Sequence, residues 1–263
     1  MNTPCFTPWR AQFAALGTRT TQRLRQLTLA QLGEHLAQVI PGHLLASEED
    51  GPHSRERIYS LRLTFECFVW QLLTPRTPCR EVVRQVQALC RLQGRPPVDE
   101  NSSAYTQARQ RLPQERWEPV LNATALAADQ RAGALGHLAG RPVKVVDGST
   151  VQLPDTPANQ KAYPQPANQK PGCGFPVMHL VVLFSLASGA LLDVVTGNLH
   201  SHDLRLFRQL WQALRSGDIL LGDRGFGDYV TLAGLPLQGV DVLARLHQAR
   251  KVDFRKARRM GDM

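Results

Sequence analysis

The chain has 263 residues, 43% of them hydrophobic and 20% charged, with a formal net charge of +9. This is an ordinary globular composition, with room for one large domain or two small ones. The longest apolar run, Val177 to Leu186, is too short to span a bilayer, and no basic start followed by an apolar stretch opens the chain, so neither a membrane span nor a signal peptide is expected.

The excess of basic groups favours a polyanionic partner, nucleic acid first among them, although a merely soluble basic protein has the same charge. Every Lys or Arg before Lys144 is Arg. Arg suits bidentate phosphate contacts, but a GC-rich coding sequence gives the same bias. The five cysteines include no C-x-x-C pair. Cys67 and Cys90 fall on apolar helix faces and read as small buried hydrophobes rather than disulfide partners or zinc ligands.

Up to about Gly140 the chain reads as helical. A loose apolar stripe runs from Leu24 to Ile40 and stops at Pro41. Ile58, Leu61, Phe65, Phe68, Val69 and Leu72 recur at helical spacing before Pro75, and Val82, Val83, Val86, Leu89 and Cys90 mark a further helix ending before Gly94. Asn101 to Ser103 offer N-cap chemistry for a helix carrying Ala104, Ala108 and Leu112, and an Ala-rich helix follows from about Gln114 to Ala132. Such helices could form a helix-turn-helix DNA reader, with Arg109 and Arg111 as phosphate contacts. Periodicity alone favours an ordinary bundle with a solvated Arg face, because no recognition helix stands out.

The pattern changes at Arg141. Val143 to Asp147 and Thr150 to Leu153 read as two short strands or one bent strand. A loop rich in Pro, Asn, Gln and Gly runs from Pro154 to Gly174 and contains PANQK twice. Phe175 to Leu186 and Ala190 to Thr196 form a predicted hairpin about Gly189. His202 to Arg215 is an amphipathic helix with Ser201 as its expected cap. Ile219 to Gly222 is a central strand, followed by a short helix from Tyr229 to Ala233 and a strand from Val240 to Leu246. This order predicts a mixed sheet covered by helices, which is also the order of a ribonuclease-H-like core.

Two acids end apolar strands: Asp147 in VKVVDGSTVQLP and Asp223 in ILLGDRGFGDY. Asp before Gly is a common turn pair, so one such acid proves little. In a ribonuclease-H-like core the first and fourth strands are neighbours, and the two carboxylates would then face each other. They would repel unless a cation sat between them, and Mg²⁺ or Mn²⁺ prefers such oxygen ligands. Two such ions, about 3.5–4 Å apart, can serve a phosphodiester from both sides. Asp228 is read as a helix cap. Asp203, near His200 and His202, is read as part of a capped helix start, and His179 as a sheet-face residue. Arg224 could hold phosphate or pair with an acid. Lys251, Arg255, Lys256, Arg258 and Arg259 form a basic tail, with Arg245 and Arg250 just before it.

VVDGSTVQLPDT, QKPGCGFP, the hairpin into GNLHSHD, LLGDRGFGDY with VLARL, and the preceding SSAYTQARQRLP together resemble the DDE transposases of bacterial insertion sequences. The match is to the large family with a long insertion between its second and third acids, and it covers about Asn101 onward. The resemblance implies an α/β fold, with an N-terminal helical, DNA-binding region at 1–140 and an incomplete ribonuclease-H-like mixed sheet flanked by helices at 141–263. It implies Mg²⁺ or Mn²⁺ as cofactor, with Asp147 and Asp223 as catalytic metal ligands. The partner it implies is double-stranded DNA at transposon ends and target, and a homodimer on that DNA is one expected assembly. A bacterial cytoplasmic, nucleoid-associated location follows. The third acid of that family, a Glu in a Tyr–Arg–Glu–Lys motif, has no counterpart in this sequence. The expectation is therefore a truncated, catalytically incomplete transposase; a non-catalytic DNA-binding regulator and an inert remnant are the alternatives.

Overall fold

The computed structural model describes residues 20, 22–46, 58–168, 170 and 172–245. The chain divides into two compact units, Met1–Ala123 and Thr124–Met263. The helix α5 (Trp117–Ala132) runs through the division.

The first unit is helical. Helix α1 (Leu29–Ala37) starts at a capping box: Thr28 accepts from the Gln31 backbone, and the Gln31 side chain accepts from the Thr28 backbone. Helix α2 (Leu61–Leu73) is capped by Ser60, whose hydroxyl accepts from Leu63 N at 3.2 Å. Helix α3 (Cys79–Leu92) begins after Pro78 and buries Val82, Val83, Val86 and Cys90. Helix α4 (Ser103–Gln110) buries Tyr105 and Ala108. Its first N–H is met by Asn101 Oδ1 at 2.9 Å, so the Asn of the expected cap run supplies the bond and Ser102 does not. Leu29, Leu32, Trp70, Val82, Val86 and Tyr105 share one core. Cys67 and Cys90 lie in it as free thiols, as their apolar positions predicted.

The second unit is built on a mixed five-stranded sheet in the order β3-β2-β1-β4-β5. Strand β1 (Val143–Gln152) is one continuous strand where two short strands were also considered. It stays in unbroken antiparallel register with β2 (Val177–Ser185) from Lys144↔Ser185 to Gln152↔Val177, which carries Gly148 and Ser149 through without a break. Strand β3 (Leu191–Asn198) completes the hairpin. Strands β4 (Ile219–Gly222) and β5 (Asp241–Ala244) run parallel to β1 on its other side. The first and fourth strands are thus neighbours, as the order of elements predicted.

Between β1 and β2, helix α6 (Pro157–Ala162) interrupts what reads as loop. It is the first PANQK copy, capped by Thr156 Oγ1 accepting from Asn159 N at 3.2 Å. The second copy is preceded by Gln165, whose side-chain oxygen instead accepts from Gly172 N and Gly174 N, and residues 166–168 form no helix. The same pentapeptide follows its cap rather than its own propensity.

Helix α7 (Asp203–Gln209) ends sooner than its apolar stripe suggests, passing into a 3-10 turn at Leu210–Ala213. Its cap is His202, accepting from Leu204 N, and not Ser201. Helix α8 (Tyr229–Leu237) follows β4. Leu206, Phe207 and Leu210 pack with Val146, Val181, Leu220, Phe226 and Leu235 on one sheet face. At the start of the parallel strands, Arg141 donates to Gly217 O at 2.8 Å and Asp218 O at 3.1 Å, and pairs with Asp241. No helix among the described residues is long and apolar enough to cross a membrane.

Candidate active site

Strand alternation sets the face on which each acid stands. Val146 is buried under α7 and α8, and its register partner on β4 is Gly222. A Cβ on Gly222 would lie 3.2 Å from Val146 Cγ1 and 3.1 Å from Phe226 Cβ, so both positions face that core. Asp147 follows Val146 and points to the opposite face; Asp223 directly follows Gly222. The two acids therefore occupy consecutive places beyond one register pair on neighbouring parallel strands.

Both acids are exposed, and each has one oxygen held by backbone. Asp147 Oδ1 accepts from Gly148 N at 2.9 Å, and Asp223 Oδ1 accepts from Gly225 N at 2.8 Å. Among the described residues no hydrogen bond or ion pair engages their Oδ2 atoms, which present hard, anionic oxygen of the kind Mg²⁺ and Mn²⁺ prefer. No group of three or more His, Cys, Asp or Glu that could hold a metal occurs among the described residues.

The other charged residues divide by what they touch. Asp228 caps α8, accepting from Thr231 N at 3.1 Å and from the Thr231 hydroxyl, and it meets Arg208 at 3.4 Å. Burial pushes its carboxyl up, but the Thr231 hydrogen bonds and the Arg208 charge outweigh this and hold it below the usual carboxylate range. Arg224, beside Asp223, is exposed and forms no ion pair among the described residues. Arg109 is exposed but not idle: it donates to Gln71 Oε1 at 3.0 Å and lies over the rings of Phe68 and Tyr105, at 5.3 and 5.9 Å. Arg111 is exposed just past the end of α4. Arg250, Lys251, Arg255, Lys256 and Arg258 lie outside the described residues.

Sequence reasoning missed two features around the acids. Lys144, one turn of the pleat before Val146, pairs with Asp129 of α5 at 3.3 Å, and Ser188 donates to the same carboxylate at 2.5 Å. A lone Lys inside an apolar strand was the available signal. The second is His179, whose Nδ1 lies 3.1 Å from Ser201 O and whose Nε2 lies 2.7 Å from Asp203 Oδ1. His200 and His202 are exposed and take no part in that contact. No local sequence signal marks this contact, because His179 comes opposite Gly197 only once β2 and β3 pair.

Residues 138–261, which contain both acids, match the family model described as a transposase DDE domain. This part of the chain is similar to the DDE-type transposases. A curated relative, "Transposase InsG for insertion sequence element IS4" of Escherichia coli (strain K12), is 27% identical over 198 residues, covering 75% of this chain and 44% of the relative. The chain thus spans less than half the length of that relative. No solved structure matches it.

Proposed function

We propose that this chain acts in DNA transposition as an insertion-sequence transposase, through metal-dependent cleavage and joining of phosphodiesters. The observation that carries the reading is the placement of Asp147 and Asp223 one step beyond the Val146↔Gly222 pair, within a region that matches a transposase DDE domain.

On this reading Asp147 and Asp223 hold Mg²⁺ or Mn²⁺ through their outward oxygens. A bound ion of this kind supplies Lewis-acid stabilisation of charge on the phosphate and lowers the pKa of a coordinated water. The chain's own contribution is to fix the ligands. The Gly148 and Gly225 N–H groups orient the two carboxylates, and Gly222 and Val146 anchor their strands in the core beneath. The substrate is double-stranded DNA at element ends and target. Arg224 stands beside Asp223, where a guanidinium can meet a backbone phosphate. Arg109 and Arg111 of the helical unit are proposed as further phosphate contacts, with Arg109 fixed in advance by Gln71 and two ring faces.

The test is cleavage of a duplex carrying the element end. Cleavage that requires Mg²⁺ or Mn²⁺ and is lost in both Asp147→Ala and Asp223→Ala supports the proposal. Cleavage that survives either substitution, or DNA binding with no metal-dependent cleavage, counts against it, the latter in favour of a DNA-binding regulator.

A further inference from the structure

Gly148 of β1 and Gly197 of β3 both lie beneath the corner that leads into α7. A Cβ on Gly148 would stand 3.2 Å from Asp203 Oδ2, and one on Gly197 only 2.6 Å from Ser201 Oγ. Neither has the left-handed backbone that needs glycine, so both serve close approach of the Ser201–Asp203 corner to the sheet. Between them on β2 sits His179, in register with Thr150 on one side and Gly197 on the other. Its Nδ1 faces the Ser201 carbonyl, which can only accept, and its Nε2 faces Asp203 Oδ1. The Asp203 contact has the distance of an ion pair without the alignment of a hydrogen bond, and Asp203 Oδ1 is buried with no other partner among the described residues.

Asp203 Oδ2 lies against the Gly148 α-carbon, one bond from the N–H that holds Asp147 Oδ1. We infer that Asp203, seated by His179, is a positioning residue: it fixes the Gly148 peptide and thereby aims the Asp147 carboxylate. This rests on the proposed role of Asp147 as a metal ligand. An apolar side chain would serve to pack a helix on a sheet. A carboxylate wedged between a histidine and a bare glycine Cα, one peptide from a metal ligand, has the placement of an outer support that orients a ligand.

The experiment is a Mn²⁺ titration of the full chain, with a thermal melt of every variant. Asp203→Ala is expected to weaken Mn²⁺ binding by about tenfold, the scale of lost outer-shell support. Asp203→Asn, which keeps the packing on Gly148, should recover much of it. Gly148→Ala should also weaken binding, and Gly148→Ala with Asp203→Ala should cost less than the two separate losses combined, because both act on one contact. Leu206→Ala loosens the same helix from the core and should lower the melting temperature while leaving Mn²⁺ affinity intact. If Asp203→Ala binds Mn²⁺ like the parent, or loses no more than Leu206→Ala, while Asp147→Ala loses binding, the positioning role is overturned and the metal site stands. If Asp147→Ala keeps parental affinity, the metal reading fails and the positioning role falls with it.

Discussion

Val146 and Gly222 are partners across the parallel β1–β4 pair, and both press into the core beneath the sheet. The acids that follow them, Asp147 and Asp223, inherit their adjacency from that pair. The candidate site is therefore as well placed as its two apolar anchors are packed.

Gly222→Ala tests that dependence. The new methyl would crowd Val146 Cγ1 and Phe226 Cβ, and overpacking of this kind costs about 1–3 kcal/mol. Denaturant unfolding should show a loss in that range. An unchanged midpoint would mean that the strands are free to part, and that the acids are not fixed by this contact.

Glu66 of α2 is buried, with Arg62 at 3.4 Å and the α-carbon of Gly33 against its carboxylate. Burial pushes its carboxyl up, and the Arg62 charge offsets this only in part. A raised folded pKa gives stability that is full below the unfolded value and is lost as pH rises through the folded one. Glu66→Gln should accordingly raise the melting temperature at neutral pH, with the gain shrinking as pH falls into the ordinary carboxylate range. A variant that melts lower at neutral pH would show that the Arg62 pair outweighs the burial.

Asp129 has the opposite sign. Burial pushes its carboxyl up, but hydrogen bonds from Ser185 and Ser188 and the Lys144 charge outweigh it and hold the group below its ordinary value. Its stabilisation is present above the unfolded pKa and is lost as pH falls through the folded one. Asp129→Asn should therefore destabilise the protein at neutral pH and matter progressively less in acid. A difference in melting temperature that stays constant across the acid limb would contradict this.

Arg109 and Arg111 should separate in their effects. Arg109→Ala removes a guanidinium lying over two rings, a contact worth about 0.5–1 kcal/mol at an exposed site, so it should lower stability as well as DNA affinity. Arg111→Ala should lower DNA affinity and the salt slope with little effect on the melt. DNA binding unchanged in both variants would remove these arginines from the proposed interface.

Much of this was legible in the sequence because strands that end on an acid carry a local signature. Val143 to Asp147 and Ile219 to Asp223 show it, and the order of elements between them predicts the adjacency observed. The helical first unit was readable from its apolar spacing. What periodicity could not show was side-chain use across the sheet. The His179–Asp203 contact joins residues whose sequence neighbourhoods point to unrelated roles, and the capping box at Thr28 lies inside a stripe that reads as one longer helix. The two PANQK copies make the same point, since their fates differ through Thr156 and Gln165, outside the repeat.

The most direct test of the central claim is the Mn²⁺ affinity of the intact chain beside Asp147→Asn and Asp223→Asn. Each substitution alone is expected to weaken binding at least about tenfold, since each removes one anionic ligand while keeping its shape. Parental affinity in either variant would mean that the two acids do not form one metal site.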